Sequence, residues 1–121
     1  MGAVDDYLSG LPQNADRAEL ERMHGKIQAL VPECGQGVSY NMACYLYRGK
    51  PVAALVVTKH HLSWYPYSGQ VIRQVTELAE FSQSTGALHF GPERPLTDTA
   101  VGELLACRMR EIDEKLDAPK R

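Results

Sequence analysis

An α+β fold, with an antiparallel β-sheet and its N- and C-terminal helices packed mainly on one face, is what this sequence predicts. Three observations lead there. Residues 15–31 and 98–116 repeat apolar side chains at the three-and-four spacing of an amphipathic helix. Between them lie β-rich runs whose connections are too short for parallel crossovers, so neighbours pair as an antiparallel meander. Finally, 121 residues at 44% hydrophobic and 23% charged describe a single domain, 1–121. That length buries roughly two-thirds of the surface without staples.

The elements follow in order. Val4, Tyr7 and Leu8 set a short helix over 3–9, which Leu11-Pro12 ends. Leu20, Met23, Ile27, Leu30 and Val31 form the buried stripe of the first long helix, and Pro32 stops it. Asn14 or Asp16 can cap its start, and Arg17 with Glu21 makes a favourable i,i+4 pair. His24 sits at the boundary of that stripe, between Met23 and Ile27. Residues 37–48 alternate as a strand, ending in the turn Arg48-Gly49-Lys50-Pro51. Val52 to Thr58 is almost wholly apolar and β-branched, which suits a central strand. Leu62 to Pro66 is the next strand.

A second helix is expected over 69–80, from Val71, Ile72, Val75, Leu78 and Ala79. A short strand, Ala87 to Phe90, follows Thr85-Gly86, and Gly91 to Pro95 is a stiff loop. Thr97 caps the last helix, whose stripe is Val101, Leu104, Leu105, Met109, Ile112 and Leu116. Residues 117–121 are a frayed tail.

Several function classes are disfavoured. A net charge of −2 without a basic face argues against a nucleic-acid binder. The longest apolar run, Val52 to Val57, is far too short to span a membrane, and the acidic start has no signal-peptide pattern. Three widely spaced cysteines, Cys34, Cys44 and Cys107, fit free thiols in a cytoplasmic protein. Nothing in their surroundings marks a nucleophile, so a non-catalytic role is expected. His60-His61 cannot chelate one ion from an extended strand, because adjacent side chains point to opposite faces.

Five segments, met in order, carry a family resemblance. They are Val4 to Pro12, Val38 to Tyr45, Trp64 to Gly69, Ser84 to Gly91 and Pro95-Leu96-Thr97. They resemble the YdhG-like family of small bacterial domains, whose members show V-x-x-Y-L-x-x-L-P, I-S-Y-G-M-P-x-Y, F-Y-P-x-S-G, S-K-G-T-L-R-F-P and P-L-P at these places. Asn41 stands for the usual glycine, Ala43 for proline, Thr85 for lysine, and His89 where arginine or lysine is common. The resemblance implies a frataxin-like arrangement of helices on an antiparallel sheet. Most members have no assigned activity, and some carry an iron-chaperone label.

Two kinds of site follow from the residues and the resemblance together. The first is a pocket for a small polar or anionic ligand. Tyr40, Tyr45, Trp64 and Tyr65 would wall it, and Ser68, Gly69, Ser84 and Thr85 would donate hydrogen bonds at a helix start. Ordinary helix capping by Ser68 or Gly69 is the alternative. The second is a frataxin-like iron site on the surface carboxylates Asp5, Asp6 and Glu21, hard oxygen ligands that suit iron. No other cofactor is expected. The chain is expected to be a monomer, or a homodimer that buries aromatics such as Tyr47 and Tyr67.

Overall fold

The computed structural model describes residues 2–75, 83–84 and 86–119. Helix α1 (Ala3–Ser9) and helix α2 (Ala15–Leu30) come first. Strands β1 (Gly35–Ser39), β2 (Met42–Tyr47), β3 (Lys50–Val57) and β4 (Leu62–Tyr65) follow. Then come helix α3 (Val71–Gln74), strands β5 (Gln83–Ser84) and β6 (Ala87–Phe90), and helix α4 (Asp98–Leu116). The strands make one antiparallel sheet in the order β1-β2-β3-β4-β6-β5. The fold is α+β, as expected.

The helix caps obey local chemistry. Asn14 Oδ1 accepts from the Arg17 N–H at 3.0 Å, and Thr97 Oγ1 accepts from the Ala100 N–H at 3.0 Å. Arg17 and Glu21 pair at 3.2 Å across one turn of α2.

Two elements differ from expectation. Residues 37–48 are not one strand. They fold back at Tyr40-Asn41, with φ of 52° and 62°, so Val38 pairs with Ala43 and Gly37 with Cys44. Positive φ at both central residues is the turn whose twist matches a two-residue hairpin. Asparagine tolerates that conformation, but the alternating polarity of 37–48 hides the reversal. The second departure is α3. It ends at Gln74, and Val75 is extended at φ −104° and ψ 99°, where the periodicity had suggested a helix over 69–80. Leu78 and Ala79 lie outside the described residues.

Register decides which side chains share a face. Tyr45 opposes Ala53, Leu55 opposes Trp64, Trp64 opposes Leu88, and Leu62 opposes both Val57 and Phe90. This face carries the main core, joined by Val4 and Leu8 of α1, Leu20, Met23 and Ile27 of α2, and Val101, Leu104, Leu105 and Ile112 of α4. Leu30 of the predicted α2 stripe and Leu116, the last residue of the predicted α4 stripe, are instead exposed. Cys44, Ala54 and Ala87 are also buried but fall outside that cluster, so the sheet centre is covered on both faces. That is why β3 reads as a continuous apolar run. No helix among the described residues is long and apolar enough to cross a membrane.

Candidate functional site

The turn after β4 builds one wall of a cleft under α4. Strand β4 ends at Tyr65, and Pro66 leads into Tyr67, held at φ 56°. The next residue, Ser68, donates its hydroxyl to Glu111 Oε2 of α4 at 2.8 Å and accepts from the Gln70 N–H at 3.2 Å. Arg108, one turn before Glu111 on the same helix, donates to it at 3.2 Å and to the Pro51 carbonyl at 3.0 Å. These bonds fix the loop against α4 and the start of β3. Between them opens a cleft of about 570 Å³ lined by Lys50, Tyr67, Ser68, Arg108, Glu111, Ile112, Glu114, Lys115 and Leu116.

Tyr67 is anchored on its other side. Its hydroxyl donates to the Ser39 carbonyl at 3.2 Å, and its ring stacks on Tyr40 with centroids 6.1 Å apart and planes 28° apart. Burial, followed by the neighbouring Cys44, holds the Tyr67 phenol well above its ordinary value. Cys44 is itself raised by burial, and burial with Glu33 pushes Cys34 up to about 11. Neither thiol is activated as a nucleophile, because the thiolate is the reactive form.

The four aromatic residues expected to wall one pocket are not brought together. Tyr45 and Trp64 are 2% and 1% exposed, inside the core on one face of the sheet. Tyr65, opposite Ala54, points to the other face, and Tyr40 is 83% exposed on the hairpin tip. Adjacent strand residues must diverge in this way. Trp64 Nε1 is buried with no hydrogen-bond partner among the described residues, so that ring is packing rather than pocket wall.

Of the expected donors, Ser68 lies in the cleft, while Gly69 is exposed beside it. Ser84 lies in β5, where it pairs with Ala87. Thr85 lies outside the described residues. The four residues of α3 also weaken the argument from a helix start, since one turn aligns too few peptide dipoles to attract an anion. Charge at this place comes from side chains instead.

Of the carboxylates expected to hold iron, Asp5 and Glu21 line one cleft beside His24, and Asp6 is not among its lining residues. Asp5 is committed elsewhere, Asp6 is exposed, and Glu21 is paired with Arg17. Among the described residues no group of three or more His, Cys, Asp or Glu side chains is placed to hold a metal ion. Tyr47 and Tyr67 are tied down by Asp113 and Ser39 rather than left free for a partner. Among the described residues the exposed aromatic is Tyr40.

Two side-chain constellations went unseen in the sequence. His24, 8% exposed, joins Tyr45 through Nδ1 at 2.7 Å and Asp5 through Nε2 at 2.7 Å. Asp5 also accepts from the Gly2 N–H and from Gln36 Nε2, while Gln36 Oε1 accepts from the Val4 and Asp5 N–H groups. The Gly2 N–H bond leads, with His24 and Gln36 adding to it, in holding the Asp5 carboxyl down to about 2. This cluster ties α1 to α2 and to β1-β2. Elsewhere, His61 stacks on His89 at 3.7 Å, and burial followed by His61 lowers the His89 pKa. Both arrangements join residues distant in the chain, and only the helical position of His24 hinted at either.

No family model matches the chain, and no curated protein does. A solved structure does. The crystal structure of a DUF1801-family protein, YdhG from Bacillus subtilis, superimposes with a TM-score of 0.79, covering 96% of this chain and 93% of that one. The chain has the YdhG fold. Identity between the two is 18%, so the likeness is one of fold, and it agrees with the resemblance carried by the five motifs. In the YdhG fold as built by this sequence, the Trp64-to-Gly69 motif delivers Tyr67 and Ser68 to the cleft under α4.

Proposed function

We propose that this chain is a non-catalytic binding domain whose cleft beside Ser68 takes a small polar ligand bearing negative charge. The charge balance of the lining carries the reading. Lys50, Arg108 and Lys115 face the cleft with Glu111 and Glu114. Arg108 and Glu111 satisfy each other, which leaves two ammonium groups against one carboxylate. Among the described residues neither lysine has an ion-pair partner.

A binding role is favoured over catalysis by the partners of the reactive groups. The Ser68 hydroxyl donates to a carboxylate rather than to an imidazole. The Tyr45-His24-Asp5 chain spends its hydrogen bonds tying α1 and α2 to β2.

Thermal denaturation with increasing inorganic phosphate or citrate tests the reading. A ligand that binds only the folded state raises the midpoint as its concentration rises. The expected result is a rise in the parent protein that is lost in Lys50→Glu and Lys115→Glu, both exposed substitutions. No rise in the parent, or a rise that survives both charge reversals, would overturn the proposal.

A further inference from the structure

Tyr40 stands in a conformation that the fold does not ask of a tyrosine. The hairpin needs positive φ at positions 40 and 41, which asparagine or glycine supplies with little strain. A bulky side chain at φ 52° is an outlier. Tyr40 is also 83% exposed, so burial gives little in return. Its ring partner, Tyr67, sits at φ 56°, a second strained aromatic in the same cluster. Backbone strain held at two touching residues points to a role outside the folding of the hairpin.

The place of the pair says what that role is. Tyr67 is backed by Tyr40 and pinned to the Ser39 carbonyl, and it also lines the cleft beside Lys50 and Lys115. The Tyr67 ring, with Tyr40 stacked on it just outside the cleft lining, is thus continuous with a pair of ammonium groups. Stacking surfaces of this kind accept planar rings, and the neighbouring cations complement an acid group on the same molecule. We infer that the ligand of this cleft is an aromatic anion, a planar ring carrying a phosphate or carboxylate, whose ring lies on the Tyr40–Tyr67 shelf while its acid group meets Lys50 and Lys115. The inference rests on the anion-binding reading above and narrows it.

Calorimetry with paired probes tests it. Adenosine 5′-monophosphate is set against ribose 5-phosphate, and indole-3-acetate against acetate. Each pair shares the acid group and differs in the ring, and the two pairs distinguish a phosphate from a carboxylate source. In the parent protein at least one ringed probe is expected to bind about tenfold tighter than its ringless partner. Tyr40→Asn should remove that margin, leave ringless binding unchanged, and not lower the thermal midpoint. Lys115→Glu should weaken ringed and ringless probes alike.

Equal binding of ringed and ringless probes overturns the inference and leaves the anion-binding reading standing. Binding of none of the four overturns both. A midpoint lowered by about 4 °C or more in Tyr40→Asn, with ringed binding intact, makes Tyr40 a folding residue and also overturns it. So does a dimer in light scattering that Tyr40→Asn converts to a monomer, since the shelf would then serve a second copy of the chain.

Discussion

His24 illustrates how much one residue can hold in place. A carboxylate oxygen can only accept, so the proton between His24 and Asp5 sits on Nε2, and in neutral imidazole Nδ1 then accepts from the Tyr45 hydroxyl. The tautomer follows from the partners. Burial, with Asp5 adding to it, holds the Tyr45 phenol well above its ordinary value, which keeps that proton in place. Tyr45→Phe preserves the ring packing but leaves a buried ring nitrogen unmet. It should cost about 1–3 kcal/mol in urea denaturation, the range for orphaning a buried polar group. Glu21→Ala, at an exposed ion pair, should change stability by less than about 1 kcal/mol. A loss in Tyr45→Phe no larger than that of Glu21→Ala would remove the cluster from the account of stability. In the sequence, His24 read as a boundary residue on a helix. Its partners lie 19 and 21 positions away, on elements whose docking no local pattern records.

At the scale of elements, local chemistry served well where it acts alone. Helices α1, α2 and α4 run where their apolar spacing and caps place them, and β3 is central because its residues are apolar on both faces. The first hairpin is not legible in the sequence because Tyr40-Asn41 lacks a glycine. An asparagine at φ 62° carries the turn in its place. Asn41→Val would put a β-branched side chain in the left-handed region and should destabilise the fold by about 1–2 kcal/mol. Asn41→Gly should be close to neutral, and guanidinium titration of the two variants side by side measures the contrast. Equal stabilities would mean the turn is not held left-handed. Helix α3 failed for the opposite reason. Its apolar spacing predicts a longer helix, yet Val75 extends and buries its side chain in the core. Tertiary burial outweighs the small helix propensity of one valine.

Across the whole molecule, a few carboxylates tie distant segments together. Asp5 links α1 to α2 and β1. Asp98 meets Lys26 and Arg22, joining α4 to α2. Asp113 and Asp117 hold Arg48, at the turn between β2 and β3, to the end of α4. Hydrogen bonds from Lys26 lower Asp98, and those from Arg48 lower Asp117. A carboxyl whose folded pKa lies below its unfolded value stabilises above the unfolded pKa, and that contribution is lost as pH falls through the folded one. The thermal midpoint should therefore fall as pH drops below the ordinary 3.8 toward about 2, and Asp5→Asn should flatten this limb. Asp98 and Asp117 are largely exposed, so solvent screening leaves Asp5 the larger share. His89, lowered by burial, acts in the same direction below its ordinary 6.5. A midpoint indifferent to acid across that range would contradict the assignment.

What the amino-acid order determined by itself is the part governed by near neighbours. Helical and strand periods, caps and short connections specify an antiparallel α+β domain, and five short motifs already resemble the family whose fold the chain shares. The motif from Trp64 to Gly69 also singles out Ser68, which lines the cleft under α4. Only the tertiary structure decided which rings stand together. Sheet register sends Trp64 and Tyr65 to opposite faces, and packing sinks Tyr45 beneath His24. A left-handed turn swings Tyr40 onto Tyr67, and α4 brings Lys115 and Glu111 to a serine more than forty residues earlier. Those contacts depend on how whole elements dock, and docking energy is shared among side chains far apart in the chain, so no local stretch of sequence encodes it.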